Sequence, residues 1–149
     1  KHSAICGSGM YGEEKVLLLK PQTFMNRSGI SVAEAANFYK MDIKDILVVL
    51  DDMALPLGQM RLRSQGSSGG HHGLQDVLNK LGSQSVNRMR IGIGYPPYGD
   101  TVNHVLSTFT EQEAMELAAL LPKAAAAVEC WVREGMAAAM NQFNASEAN

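Results

Sequence analysis

Cysteine, long apolar runs and every familiar nucleotide signature are scarce or missing in this chain. Cys6 and Cys130 are the two cysteines among 149 residues, far apart and without CxxC spacing. That excludes a disulfide framework and leaves reduced thiols, for which the cytoplasm is the expected location. No apolar run approaches the roughly 18 residues that a bilayer-spanning helix needs. The run Val16-Leu17-Leu18-Leu19 is also far too short for a signal peptide. No membrane association is expected. There is no internal repeat, and the first residue is Lys1 in place of Met. A processed chain or a fragment is therefore expected.

What is present fits one soluble domain spanning residues 1–149, with a disordered tail over 145–149. Apolar residues make up 46% and charged residues 19%, as in ordinary globular proteins. The net charge of −2 hides an asymmetry. Residues 53–99 carry five cations (Arg61, Arg63, Lys80, Arg88, Arg90) against Asp76 alone, whereas 101–149 carry Lys123 and Arg133 against six glutamates. Such a split suits a basic face for an anionic ligand, or it is ordinary surface patterning.

Short apolar runs alternate with helical stretches, which predicts an α/β fold with helices flanking a sheet. Strands are predicted over Lys15–Lys20, Ile46–Leu50, Gln59–Arg63 and Arg90–Gly94. The continuous run ILVVL at 46–50 predicts a strand buried on both faces. Helices are predicted over Ser28–Tyr39, with Ser28 as N-cap, and over His72–Leu81, ended by Gly82. Thr110 and Glu113 form a capping box for a long helix, Glu111–Arg133, kinked at Pro122 and ended by Gly135. Met136–Phe143 adds a last short helix.

Several residues stand out chemically. A polar loop with Phe24-Met25-Asn26 at its tip follows a strand and precedes a helix, and turn chemistry alone does not ask for adjacent large apolar residues. Asn26 can donate its amide to a substrate carbonyl or oxyanion, or it can simply start the helix. Asp51-Asp52 ends the predicted strand, where open α/β sheets place ligands. Asp51 is a candidate for orienting a histidine, and a turn cap is the alternative, the one Asp52 suits. Gly66–Gly73 (GSSGGHHG) is a glycine-rich loop opening a helix, but it is neither a P-loop nor a G-x-G-x-x-G fingerprint. Adjacent helical residues point about 100° apart, so His71 and His72 do not converge on one ligand. No carboxylate or cysteine cluster accompanies them, and no metal is expected. A single histidine acting as a hydrogen-bonding site residue is the better reading.

Together the segments KPQTFMNRSG (20–29), ILVVLDD with LPLG (46–58), GGHHGLQDV (69–77), RMRIGIGYP (88–96) and AAMNQFN (138–144) resemble bacterial-type peptidyl-tRNA hydrolase. The resemblance implies a three-layer α/β sandwich with a mixed central sheet. It also implies hydrolysis of the ester between a peptide and the 3′ ribose of tRNA, without metal or cofactor. In such enzymes a histidine is the general base on water and an aspartate orients it. By motif position Asp51 matches the orienting aspartate, and Asn26 the amide that positions water and substrate. Phe24 and Met25 match the floor near the tRNA terminus, and His71 a site histidine. Arg63 and Arg90 sit where the family clamps the tRNA 5′ phosphate. The implied partner is peptidyl-tRNA, held by its acceptor end and 5′ phosphate by a monomeric protein.

Two departures qualify the match. His72 stands where the family usually has asparagine, offering one donor when neutral in place of an amide's two. The family's opening segment, which supplies the first strand and the Arg-His-Asn stretch with the catalytic base, has no counterpart in these residues. An N-terminally truncated, inactive copy is the resulting expectation. The alternative is a non-catalytic RNA-binding module on the same scaffold.

Overall fold

In a computed structural model, residues 4–22, 27–94 and 110–144 are described. The predicted loop tip Phe24-Met25-Asn26 and the tail 145–149 lie outside them. The architecture is α/β: β1 Ala4–Tyr11, β2 Glu14–Pro21, α1 Ser28–Tyr39, β3 Leu47–Asp52, β4 Met60–Arg63, α2 His72–Leu81, β5 Asn87–Gly92, α3 Glu111–Glu134 and α4 Met136–Phe143. The strands pair as an antiparallel two-stranded sheet, β1-β2, and a three-stranded sheet of order β3-β5-β4. Among the described residues no helix is long and apolar enough to cross a membrane.

The chain forms two compact units, residues 1–48 with 63–88 and residues 49–62 with 89–149. In the first, β1 and β2 form a hairpin in which Tyr11 faces Glu14 across Gly12-Glu13. Gly12 takes φ 60°, the left-handed conformation that such a tight turn requires. Strand β1 is an addition to the predicted elements. Its sequence AICGSGMY has no clear alternation, and most of it is exposed, so pairing with β2 creates it. Helix α1 packs on α2 and touches β2. It begins where predicted, but Ser28 is its first residue and not its cap. Arg27 is the N-cap, without a side-chain capping bond. Helix α2 ends as predicted at Gly82, with φ 70° and its N–H donated to the Leu78 carbonyl.

In the second unit Met60 and Leu62 of β4 are fully buried while Arg61 is half-exposed, the predicted alternation. The run at 46–50 differs from expectation. Strand β3 lies at one end of its sheet, and Val49 is 55% exposed, so two-sided burial fails at the edge strand. The Thr110–Glu113 capping box opens α3 as predicted, with Glu113 N–H to Thr110 Oγ1 at 3.1 Å and Thr110 N–H to Glu113 Oε1 at 2.8 Å. Helix α3 buries the stripe Leu120, Ala124, Ala127 and Cys130. The Cys130 thiol donates toward Glu134 Oε2 at 3.6 Å and Gln142 Oε1 at 3.7 Å. Burial, and then the Glu134 carboxylate, push its pKa above the ordinary 9.0, so it is a neutral thiol at physiological pH.

The other outer strand, β4, is tied by a side chain. Leu62 N–H donates to Asn144 Oδ1 at 2.9 Å, and Asn144 Nδ2 returns a bond to the Leu62 carbonyl at 2.8 Å. One amide thereby satisfies both backbone groups of a residue with no solvent exposure. Asn144→Ala is expected to cost about 1–3 kcal/mol, the penalty for stranding buried polar groups. Urea denaturation checks this, and an unchanged midpoint would show that water takes over both bonds.

Candidate active site

The glycine-rich loop of the first unit is held by Arg88, which is buried at 1% exposure. Its Nη1 donates to the carbonyls of Gly66 at 2.9 Å and Ser67 at 3.0 Å. Nη2 reaches the Gln84 carbonyl at 2.9 Å and Nε that of Val86 at 2.8 Å. Guanidinium geometry suits this fan of acceptors, because five donors project from one rigid plane. Arg88 is thus a structural clasp and not part of a basic face, a correction to the charge reading above. Lys80 lies 3.9 Å from Asp76. Arg63 is exposed.

At the end of that loop the His71 N–H donates to the Ser68 carbonyl at 3.2 Å. His71 is the N-cap of α2, and its Nδ1 accepts the Leu74 N–H at 3.1 Å. An imidazole is an uncommon cap, but it does what Ser or Asn would do there. Accepting at Nδ1 assigns the ring proton to Nε2. His71 is half-buried and His72 exposed, so the two rings have different surroundings, as their helical spacing requires.

In the second unit Asp51 and Asp52 are the last two residues of β3. Consecutive strand residues face opposite sides, which separates their tasks. Asp52 accepts the Ala54 N–H at 2.8 Å through Oδ1, closing the next turn. Its Oδ2 lies 3.6 Å from Arg90 Nη1, with side chains 18% and 14% exposed respectively. The turn-capping alternative thus applies to Asp52. Asp51 is half-buried on the other side of the strand. Strand β5 is locked to this turn: Ile93 N–H donates to the Asp52 carbonyl at 3.0 Å and Gly92 N–H to that of Gln59 at 2.8 Å.

These placements coincide with a match along the whole chain to the family model described as peptidyl-tRNA hydrolase, over residues 1–149. The chain belongs to the peptidyl-tRNA hydrolase family. It is 44% identical over 144 residues to the peptidyl-tRNA hydrolase of Alkaliphilus oremlandii, covering 97% of this chain and 78% of that one. It is 48% identical over 145 residues to the one of Desulfitobacterium hafniense, with the same two coverages. A crystal structure of peptidyl-tRNA hydrolase from Acinetobacter baumannii superposes with a TM-score of 0.89 at 34% identity, covering 97% of this chain and 74% of that one. The α/β fold and the ester-hydrolase family expected from the motifs are thereby established.

Three residues that organise the hydrolase fold around its motifs escaped the sequence reading. Arg88 looked like any surface cation, and nothing in the chain marks it as buried. Like Arg88 in RMRIGIGYP, Asn144 and Asp76 sit inside recognised motifs, AAMNQFN and GGHHGLQDV, but their partners are remote in sequence. Leu62 lies 82 positions from Asn144, and Gly29 lies 47 from Asp76.

Proposed function

We propose that this protein hydrolyses the ester joining the peptide to tRNA in peptidyl-tRNA, in the cytoplasm, as a monomeric single-domain enzyme without metal or cofactor. Water attacks the ester carbonyl, and the family's general-base histidine, which has no counterpart among these residues, takes its proton while Asp51 orients it. Asn26 holds the water and the substrate, and its amide together with the His71 Nε2–H stabilises the oxyanion. Phe24 and Met25 line the floor for the tRNA terminus, and His72 contacts the peptide through one donor where an asparagine would offer two. Arg63 and Arg90 meet the 5′ phosphate, Arg63 being the more accessible.

The observation that carries this reading is Asp51. It is a half-buried carboxylate at a strand end, and its neighbour Asp52 already serves the turn and Arg90. A carboxylate at that position fits the orienting role that the family's motif gives it, in a chain that matches the family over residues 1–149.

Anchoring through phosphates makes affinity fall with salt while remaining tolerant of tRNA sequence. Binding of an uncleavable peptidyl-tRNA analogue is expected to weaken roughly tenfold or more between about 50 and about 200 mM salt. Arg63→Ala is expected to reduce the slope of log affinity against log salt by about one. Filter binding across a salt series checks both. An affinity indifferent to salt would remove the phosphate clamp, and absent release of tRNA from N-acetyl-aminoacyl-tRNA would remove the activity.

A further inference from the structure

The loop that carries His71 has little regularity of its own. Residues 64–71, between β4 and α2, form neither helix nor strand. Gly66, Gly69 and Gly70 take φ of 131°, 61° and 88°, angles that other residues rarely adopt. A backbone of this kind has many alternatives, so the place of its last residue is set by what the loop is bonded to. Those bonds form a continuous series. The Gly66 N–H donates to the Gln84 carbonyl at 3.1 Å, the same carbonyl that accepts Arg88 Nη2 at 2.9 Å. Arg88 Nη1 then holds the Gly66 and Ser67 carbonyls. The next residue, Ser68, is buried. Its Oγ accepts the Gly70 N–H at 3.2 Å, and its carbonyl accepts the His71 N–H at 3.2 Å. His71 in turn caps α2 through Nδ1. The series starts from a firm point, because Arg88 lies on β5, the middle strand of its sheet, between buried Asn87 and Met89.

We infer that Arg88 is a positioning residue for ester hydrolysis: by gripping Gly66 and Ser67 it places the Ser68–His71 turn, and with it the imidazole. The inference rests on the role proposed above for His71. A guanidinium is needed because the acceptors lie on two stretches of chain, 66–67 and 84–86, and five donors in one rigid plane can serve both. The three donors of an ammonium diverge from one point, which keeps the charge but loses that reach. Misplacing a group that meets the reacting atoms by about 1 Å can cost on the order of a hundredfold in rate. A buried side chain that never meets substrate therefore has leverage on the chemistry.

The test uses Arg88→Lys, His71→Asn and the double variant, with Asn144→Ala as a control that also loses buried hydrogen bonds, those to Leu62. Single-turnover cleavage of N-acetyl-aminoacyl-tRNA and the 15N resonances of the His71 ring are measured at a temperature where melts show each variant folded. Arg88→Lys is expected to lower the rate on the order of 10- to 100-fold and to shift the ring resonances. His71→Asn keeps a capping acceptor but loses the Nε2–H, for a loss on the order of 100- to 1,000-fold. The double variant should be no slower than His71→Asn, because both changes act through one ring. Asn144→Ala should leave ring and rate parental, which separates placement of His71 from a general loss of stability. Multiplying losses in the double variant, a ring unmoved in Arg88→Lys, or an equal ring shift in Asn144→Ala would each overturn the inference. A parental rate in His71→Asn, or a parent that releases no tRNA, would instead defeat the proposed function, and the ring resonances alone would then decide whether Arg88 places His71. Should Arg88→Lys fail to fold, Gly66→Ala replaces it. A Cβ there has room, its nearest neighbour being Arg88 Nη1 at 3.8 Å, so the change acts on the backbone angle and hence on the carbonyl that Arg88 holds. The same ring shift is expected, and a parental ring and rate would overturn the proposal.

Discussion

Asparagine in place of Asp51 is expected to slow cleavage of the peptidyl ester by about 10²–10⁴-fold, the range spanned by an oriented base. The substitution is nearly isosteric at a half-buried strand end, so stability should change by about 1 kcal/mol or less. In the role proposed for Asp51, it removes the charge that stabilises a protonated base. It also places a donor where an acceptor stood, which favours the wrong tautomer of an imidazole partner. Single-turnover rates alongside thermal melts separate the two effects. Asp52→Asn is the matched control. It keeps an acceptor oxygen for the Ala54 N–H and loses the charge opposite Arg90, so it should leave most of the rate intact. Equal rates in the parent and Asp51→Asn would take Asp51 out of the chemistry.

The largest stability loss is expected at Gly92. A Cβ there would overlap the Pro56 carbonyl oxygen and come within 2.9 Å of the Leu55 oxygen. These are backbone atoms, with no rotamer to swing aside. Nor can β5 retreat freely, since Gly92 N–H is bonded to the Gln59 carbonyl at 2.8 Å and Gly94 N–H to that of Leu55 at 3.0 Å. Gly92→Ala must give up bonds or force the Leu55–Gln59 turn to move, at about 3 kcal/mol or more. That is a large part of a domain's usual 5–15 kcal/mol. Denaturant midpoints check the figure, and a loss under about 1 kcal/mol would show that the turn yields easily.

Punctuation explains why the helices were legible in the sequence. Gly82 and the Thr110–Glu113 box fix ends by local backbone chemistry, and the structure repeats the box bond for bond. Strands were read less well, because a strand depends on its neighbours. β1 has no pattern of its own, and Val49 is exposed at an outer position that the run ILVVL cannot reveal. Motif order identified the family, but not the bonds around His71 and the glycine-rich loop. The His71 cap spans three residues and could have been proposed from the sequence. Asp76 to Gly29 and Arg88 to Gly66 join positions whose proximity exists only after α1, α2 and β5 have formed.

Arg88 also has a consequence for how this region opens. It grips residues 66 and 67 on one side and 84 and 86 on the other, so the intervening segment, which contains all of α2, leaves from and returns to a single side chain. Releasing one carbonyl exposes a guanidinium already stripped of water, which makes partial release unfavourable and release of the whole set the cheaper event. Helix α2, its histidine cap and its grip on α1 should then come and go as one cooperative unit, with a protein that is either assembled there or locally unfolded and few states between.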